Sequence, residues 1–267
     1  MVNKSFAVVG DPVTHSLSPS IHQAAYKYLG LDYSYRAIQV SAGDLPAFVK
    51  ENTTQFDGFS VTMPLKFEAA EIASKASDLL GTGVANTLVK TDSGWNGYNT
   101  DISGISFALA ECFATSPSTV AVLGAGATAR SALVTISQQG FSNVTICARN
   151  LTKASELIQL CNSMGLALEI LSLDEFGDNQ DLTINTLPNG AADLLIGAGQ
   201  QSGWLLSANY AGSDAEFKNL FSPLQVVSGV EMLLGQALEQ IRLFTGLDLD
   251  FSKVDSAALI SAMRSAL

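Results

Sequence analysis

Short apolar runs alternate along this chain with stretches in which apolar positions recur every three or four residues, the signatures of buried strands and amphipathic helices. Phe6–Val9 reads as a buried strand, ended by Gly10-Asp11-Pro12. Ser18 then reads as a helix N-cap with Pro19 at the first helical position, and Ile21, Ala24, Ala25, Tyr28 and Leu29 form the apolar stripe of a helix that Gly30 stops. The spacing predicts strands at Tyr33–Val40, Phe59–Thr62 and Ala85–Lys90, a short helix marked by Leu45, Phe48 and Val49, and another over Phe67–Lys75. A helix from Ile102 leads into a second series, with strands at Thr119–Leu123, Val144–Cys147, Leu168–Leu171, Leu182–Asn185 and Trp204–Asn209. Gly229–Thr245 and Val254–Ala266 read as two closing helices, the first long and apolar on one face. The pattern divides around Asp101. Strand–helix alternation without a repeat or low-complexity tract predicts an α/β fold with mostly parallel sheets and right-handed crossovers.

Between the strand Thr119–Leu123 and a helix carrying Ala132, Leu133, Ile136 and Ser137 stands Gly124-Ala125-Gly126-Ala127-Thr128-Ala129. Strand, glycine turn and helix are the context that makes a G-x-G-x-x-A run a dinucleotide fingerprint and not merely a tight turn. Gly124 lets the chain turn sharply, Gly126 lets backbone approach a pyrophosphate, and Ala129 keeps helix and strand close, with the phosphates at a helix N-terminus. An NAD-binding unit would carry a carboxylate at the end of the second strand. Val144–Cys147 ends instead in Ala148-Arg149-Asn150, with Lys153 one turn later. Both cations could be surface charges of the next helix, but the chain has only 14 Lys plus Arg, and a guanidinium can grip a 2′-phosphate through two hydrogen bonds. NADP is therefore expected over NAD.

The formal net charge of −11 argues against nucleic acid and an anionic membrane as partners, and any bound anion must be held by local groups. Cys112, Cys147 and Cys161 cannot all pair and lack metal-ligand spacing, so reduced thiols in a cytoplasmic protein are the simplest account. Neither a charged leader nor a long apolar segment is evident, so no signal peptide or membrane span is expected.

The first half also sets polar residues beside turns. His15-Ser16-Leu17-Ser18-Pro19 places two hydroxyls at the mouth of a helix, a cradle for a carboxylate. Ser18 is already needed as an N-cap, whereas Ser16 has no such structural role. Thr62 and Lys66 lie just beyond a strand end, where open α/β sheets bind ligands, and Asn86-Thr87 and Asn99-Thr100-Asp101 add carboxamides and a carboxylate. Singly, such residues are usually solvated. Together they suit a polyhydroxylated anion.

These segments resemble, in order and almost end to end, the shikimate dehydrogenase family. Ser16-Leu17-Ser18-Pro19 with His22 looks like its substrate loop, and Phe56-Asp57-Gly58-Phe59-Ser60-Val61-Thr62-Met63-Pro64-Leu65-Lys66 is similar to its F-D-G-x-x-V-T-x-P-x-K segment. Gly83–Leu88 and Gly97–Asp101 resemble its two N-T blocks, Asn185–Gly190 the loop that approaches the nicotinamide, and Gly229–Gln236 the start of its closing helix. The resemblance implies an N-terminal α/β catalytic domain over 1–101, completed by 236–267, and a Rossmann-type NADP-binding domain over 102–235. It assigns a substrate carboxylate to Ser16, Ser18 and Tyr210, and ring hydroxyls to Thr62, Lys66, Asn86, Asp101 and Gln236. Lys66 and Asp101 would be the catalytic pair, without a metal, since the nicotinamide supplies the hydride chemistry. Which of the two carries the proton stays open. Gly124, Gly126, Ala127, Ala129, Arg149, Lys153, Gly229 and Met232 would line the cofactor.

The sequence also departs from the family. Asp11 stands where Asn is common, Ala127-Thr128 replaces a third glycine, and Asn150 replaces a hydroxyl residue. Around Tyr210, the family's preceding aspartate and following proline are missing. The expected activity is NADPH-dependent reduction of 3-dehydroshikimate to shikimate in chorismate and aromatic amino-acid biosynthesis, by a monomer or homodimer. Two alternatives are a paralogue acting on quinate or another cyclic hydroxy acid, with NADP or with NAD, and a non-catalytic nucleotide-binding protein. The intact Ser-Leu-Ser favours shikimate, Arg149 disfavours NAD, and retained proton-transfer residues disfavour the binding protein.

Overall fold

The computed structural model describes residues 3–74, 79–110, 112, 119–177, 180–210, 214–246 and 250–267. Its chain forms two compact units, Met1–Thr100 with Leu233–Leu267, and Asp101–Met232.

The first unit opens with β1 (Lys4–Gly10), whose Phe6, Ala7, Val8 and Val9 are all buried, as a strand covered on both faces requires. It continues through α1 (Ser18–Leu29), β2 (Tyr33–Gln39), α2 (Leu45–Glu51), β3 (Gly58–Val61), α3 (Lys66–Ile72), β4 (Thr87–Thr91) and β5 (Gly94–Tyr98). The strand order is β2-β1-β3-β4-β5, with β1 parallel to β2 and β3, and β4 antiparallel to β3 and β5. Register pairs Gly10 with Gln39, Val9 with Val61, Ser60 with Thr87 and Thr87 with Tyr98. The ends of β1, β2, β3 and β5 and the start of β4 thus share one sheet edge.

Strand β5 is not anticipated by the sequence, because Gly94 and Gly97 read as loop. A side chain at Gly97 would meet Ala73 Cβ at 2.6 Å, so only glycine lets β5 lie against the end of α3. Two further readings are corrected in α1. The buried face runs through Ser18, Ile21, His22, Ala25 and Tyr26, while Tyr28 is 45% exposed. Positions four apart share a face, and Tyr28 lies on the opposite one from Tyr26. Nor does Ser18 cap the helix with its side chain: Ser16 Oγ accepts the Ser18 N–H at 3.3 Å, which gives Ser16 the structural role denied it above. Gly30 ends α1 at φ 68, as expected. The helix expected to reach Lys75 is α3, and Lys75 lies outside the described residues.

The second unit contains α4 (Asp101–Leu109), β6 (Val120–Leu123), α5 (Ala127–Gln138), β7 (Asn143–Ala148), α6 (Leu151–Ser155), α7 (Ile158–Ser163), β8 (Ala167–Ser172), β9 (Leu182–Asn185), β10 (Trp204–Ser207), α8 (Ala215–Lys218) and β11 (Val226–Val227). Its sheet is parallel throughout, in the order β11-β10-β9-β6-β7-β8. Counted from β6, this is the doubly wound dinucleotide-binding order, with its switch point between β6 and β9. Alternate residues of β6 feed two cores, Val120 and Val122 packing with Leu133 and Ile136 of α5, and Ala121 and Leu123 with Leu205 and Phe217.

Helix α9 (Gly229–Thr245) spans the border of the units, and α10 (Ser256–Arg264) closes the chain. Asp255 accepts the Ala258 N–H at 3.0 Å and caps α10, so the helix begins later than the expected Val254. In the first unit Phe244 of α9 stacks on Phe6 with centroids 4.4 Å apart, and α10 packs along α1. Among the described residues no helix is long and apolar enough to cross a membrane.

Candidate active site

The shared edge of the first sheet gathers most of the polar residues singled out in the sequence. Beyond β3, Thr62 N–H donates to Val9 O at 2.9 Å, Leu65 N–H turns back to Thr62 O, and Lys66 begins α3, half-buried. Lys66 O accepts the Ala85 N–H at 2.9 Å, and Asn86 O accepts the Val61 N–H at 2.7 Å, knitting the Thr62–Lys66 loop to the segment before β4. Asp11 N–H donates to Met63 O at 3.0 Å, adding the loop after β1, while its carboxylate takes Gln39 Nε2 and Ser41 Oγ at 2.9 and 3.0 Å. Asp11 thus pins the end of β2.

Asn86 is buried at the centre of this edge. Its Oδ1 accepts the Thr100 N–H at 2.7 Å and faces the Thr87 and Thr100 hydroxyls at 3.0 Å, while Nδ2 donates to Gln236 Oε1 on α9 at 3.0 Å. One turn along α9, Gln240 organises a second, fully enclosed cluster. Gln240 Oε1 lies 3.2 Å from His22 Nε2 and accepts the Ser60 hydroxyl at 2.9 Å, and its Nε2 donates to Thr87 Oγ1 at 3.0 Å. Tyr35 donates to Ser60 Oγ at 2.7 Å, and its ring stacks on His22 at 4.0 Å.

Because Gln240 Oε1 can only accept, His22 carries its proton on Nε2 and accepts at Nδ1 from the Tyr26 hydroxyl, 3.2 Å away. Complete burial pushes the His22 pKa down to about 3, against a smaller upward pull from the Gln240 hydrogen bond, so the ring is a neutral strut. This pairing fixes α1 on α9. Gln236 stands four residues before Gln240 on the same face of α9 and reaches Asn86 at the edge, and Ser18 stands four residues before His22 on the same face of α1. Gln240 was not singled out in the sequence, and Ser60 and Thr87 stood there only as members of longer motifs; Gln240's sequence trace is polarity on an otherwise apolar helix.

In the second unit, the carboxyl ends of β6 and β9 flank the switch point. Gly124 has φ 104, and a side chain there would meet Thr186 Oγ1 at 2.8 Å; Thr186 itself donates to Leu123 O at 2.7 Å. Gly126 caps α5, and nothing lies within 4 Å of where its side chain would begin. Ala127 opens α5, and Ala129 is buried in the core beneath it. This open backbone at the head of a long helix fits a pyrophosphate. Arg149 and Lys153 follow β7 and are exposed. Asn150 Oδ1 accepts the Lys153 N–H at 3.0 Å, so its side chain caps α6.

A side chain at Gly229 would meet Ser207 O at 2.7 Å, so glycine lets α9 start against the end of β10, and Met232 is buried in the core with Leu206. Tyr210 is half-buried after β10, whereas Ala211 and Gly212 lie outside the described residues. Asp101 is 1% exposed and is the first residue of α4, where unpaired backbone N–H groups favour a carboxylate. Burial holds the Cys147 and Cys161 thiols neutral, each pushed up to about 11, with Glu169 and Glu175 adding to the effect at Cys147.

Residues 8–88 match the family model described as the shikimate dehydrogenase substrate binding domain, and residues 108–188 match that of shikimate / quinate 5-dehydrogenase. The chain is 32% identical to a Shikimate dehydrogenase (NADP(+)) of Prochlorococcus marinus, covering 96% of this chain and 97% of the relative. Among solved structures, shikimate dehydrogenase of Mycobacterium tuberculosis superposes with a TM-score of 0.83 at 32% identity, over 98% of this chain and 99% of the other. Shikimate 5-dehydrogenase of Thermus thermophilus, solved in complex with NADP(H) and shikimate, gives 0.77 at 29% identity over 99% and 100%.

Proposed function

This chain belongs to the shikimate dehydrogenase family, and from that premise we propose that it catalyses the reversible, NADPH-dependent reduction of 3-dehydroshikimate to shikimate, in the cytoplasm, as a step of chorismate and aromatic amino-acid biosynthesis. The observation that carries the reading is the match over almost the entire chain to enzymes named for this reaction and cofactor. In this reading the first unit takes the substrate and the second the dinucleotide.

The residues present suit those tasks. Gly124, Gly126, Ala127 and Ala129 would hold the pyrophosphate on the head of α5, Arg149 and Lys153 would face the 2′-phosphate, and Gly229 and Met232 would border the nicotinamide end. Bound NADPH supplies the hydride. Ser16, Ser18 and Tyr210 would hold the substrate carboxylate, and Thr62, Asn86 and Gln236 its hydroxyls. Lys66 would polarise the carbonyl and, with Asp101, deliver the proton that the new alkoxide needs. Asp101 would orient the ammonium and hold the hydroxyl in the oxidising direction.

The test is turnover with shikimate and with quinate, each with NADP and with NAD. The fastest rate is expected for shikimate with NADP. A preference for quinate with NAD would establish the paralogue instead, and no turnover in any of the four would overturn the dehydrogenase reading.

A further inference from the structure

Asp214 lies in the second unit immediately before α8, is 1% exposed, and has a left-handed backbone at φ 61. A buried carboxylate needs donors, and three are provided. Gly190 N–H reaches Oδ1 at 2.9 Å, and Asn209 Nδ2 and Asn185 Nδ2 reach Oδ2 at 2.7 and 3.2 Å. The two amides also hold the loop between them: Asn185 Oδ1 accepts the Leu187 N–H at 3.0 Å, and Asn209 Nδ2 reaches Leu187 O at 2.9 Å. The backbone of Asn185–Gly190 is therefore fixed at Leu187 and Gly190 by groups that converge on one carboxylate. That same loop sets Thr186 against Gly124 at the switch point, where doubly wound sheets bind their ligand.

We infer that Asp214 is a positioning residue for the dinucleotide, clamping the Asn185–Gly190 loop beside the glycine turn. The inference rests on the NADP-dependent reading above.

The test uses the whole enzyme, with NADPH fluorescence titration, the KM values of both substrates and thermal unfolding. Asp214→Asn turns one acceptor oxygen into a donor facing other donors. It is expected to raise the NADPH dissociation constant about tenfold, the loss typical of a hydrogen bond to a charged group, and to leave the shikimate KM unchanged. If Asp214→Asn does not fold, Asn209→Ala keeps the carboxylate, removes two of the bonds and should give the same split at smaller amplitude. A folded Asp214→Asn that binds NADPH normally would overturn the inference. So would a parallel loss of NADPH affinity, shikimate affinity and thermal stability, or, where only Asn209→Ala folds, normal NADPH binding by that variant. Failure of the unmodified enzyme to bind NADPH would instead overturn the dinucleotide reading, and this inference with it.

Discussion

At the edge of the first sheet, polar side chains are committed to one another. Asn86 is held by Thr87, Thr100 and Gln236, and Gln240 by His22, Ser60 and Thr87, most of them out of water. At the switch point of the second sheet, the glycine turn offers bare backbone, and the cations beyond β7 stand in solvent. The first edge suits a ligand whose hydroxyls must be read one by one, because enclosed, satisfied networks hold donors and acceptors in fixed places. The second suits a long phosphate-bearing ligand gripped by backbone N–H groups and exposed charge. Substitutions at the two edges should consequently fail differently.

The largest effect is expected from Gln240→Leu, which takes away the acceptor of the buried His22 Nε2–H and Ser60 hydroxyl and should destabilise the protein by about 3–5 kcal/mol, read by urea unfolding. Lys66→Ala and Asp101→Ala should each lower kcat by a factor on the order of 100 or more, the usual loss for a positioned proton-transfer group. Arg149→Ala should raise the apparent constant for NADP about tenfold, leave that for NAD nearly unchanged and not move the thermal midpoint. Equal losses for both cofactors would mean that the arginine supports the fold or the pyrophosphate.

The smallest effect concerns acidity. The folded pKa of His22, about 3, lies below the unfolded value near 6.5, so the unfolded chain takes up a proton between those limits that the folded chain does not. Its burial costs nothing above that window and about 1.4 kcal/mol per pH unit as pH falls through it. The stability difference between the unmodified protein and His22→Asn should shift by that slope against the unmodified protein from about pH 6 downwards. A pH-independent difference would refute the neutral-strut assignment.

Strands β1 and β6 were legible because their apolar runs are unbroken and a glycine ends each, and α9 occupies Gly229–Thr245 in both sequence and structure. Strand β5 was not, since two glycines erase its pattern and only pairing with β4 makes it a strand. Candidate polar residues could be picked from strand ends, but their mutual arrangement could not. Gln240 and His22 are 218 positions apart, and nothing local marks them as partners. The Ser16–Ser18 reversal was hidden because either hydroxyl satisfies the same sequence rule. Asp214 was overlooked because an acid in a Gly-Ser-Asp stretch reads as solvated loop until its three donors are seen.

The division between the two edges is tested most directly by measuring kcat at saturating NADP and the NADPH dissociation constant for Lys66→Ala and Arg149→Ala side by side. The expected result is a crossed one: Lys66→Ala binds NADPH like the unmodified enzyme but turns over on the order of 100-fold more slowly, while Arg149→Ala binds it about tenfold more weakly and keeps its kcat. If Lys66→Ala lost NADPH binding, or Arg149→Ala lost kcat as severely as affinity, chemistry and cofactor recognition would not be divided between the two edges as described.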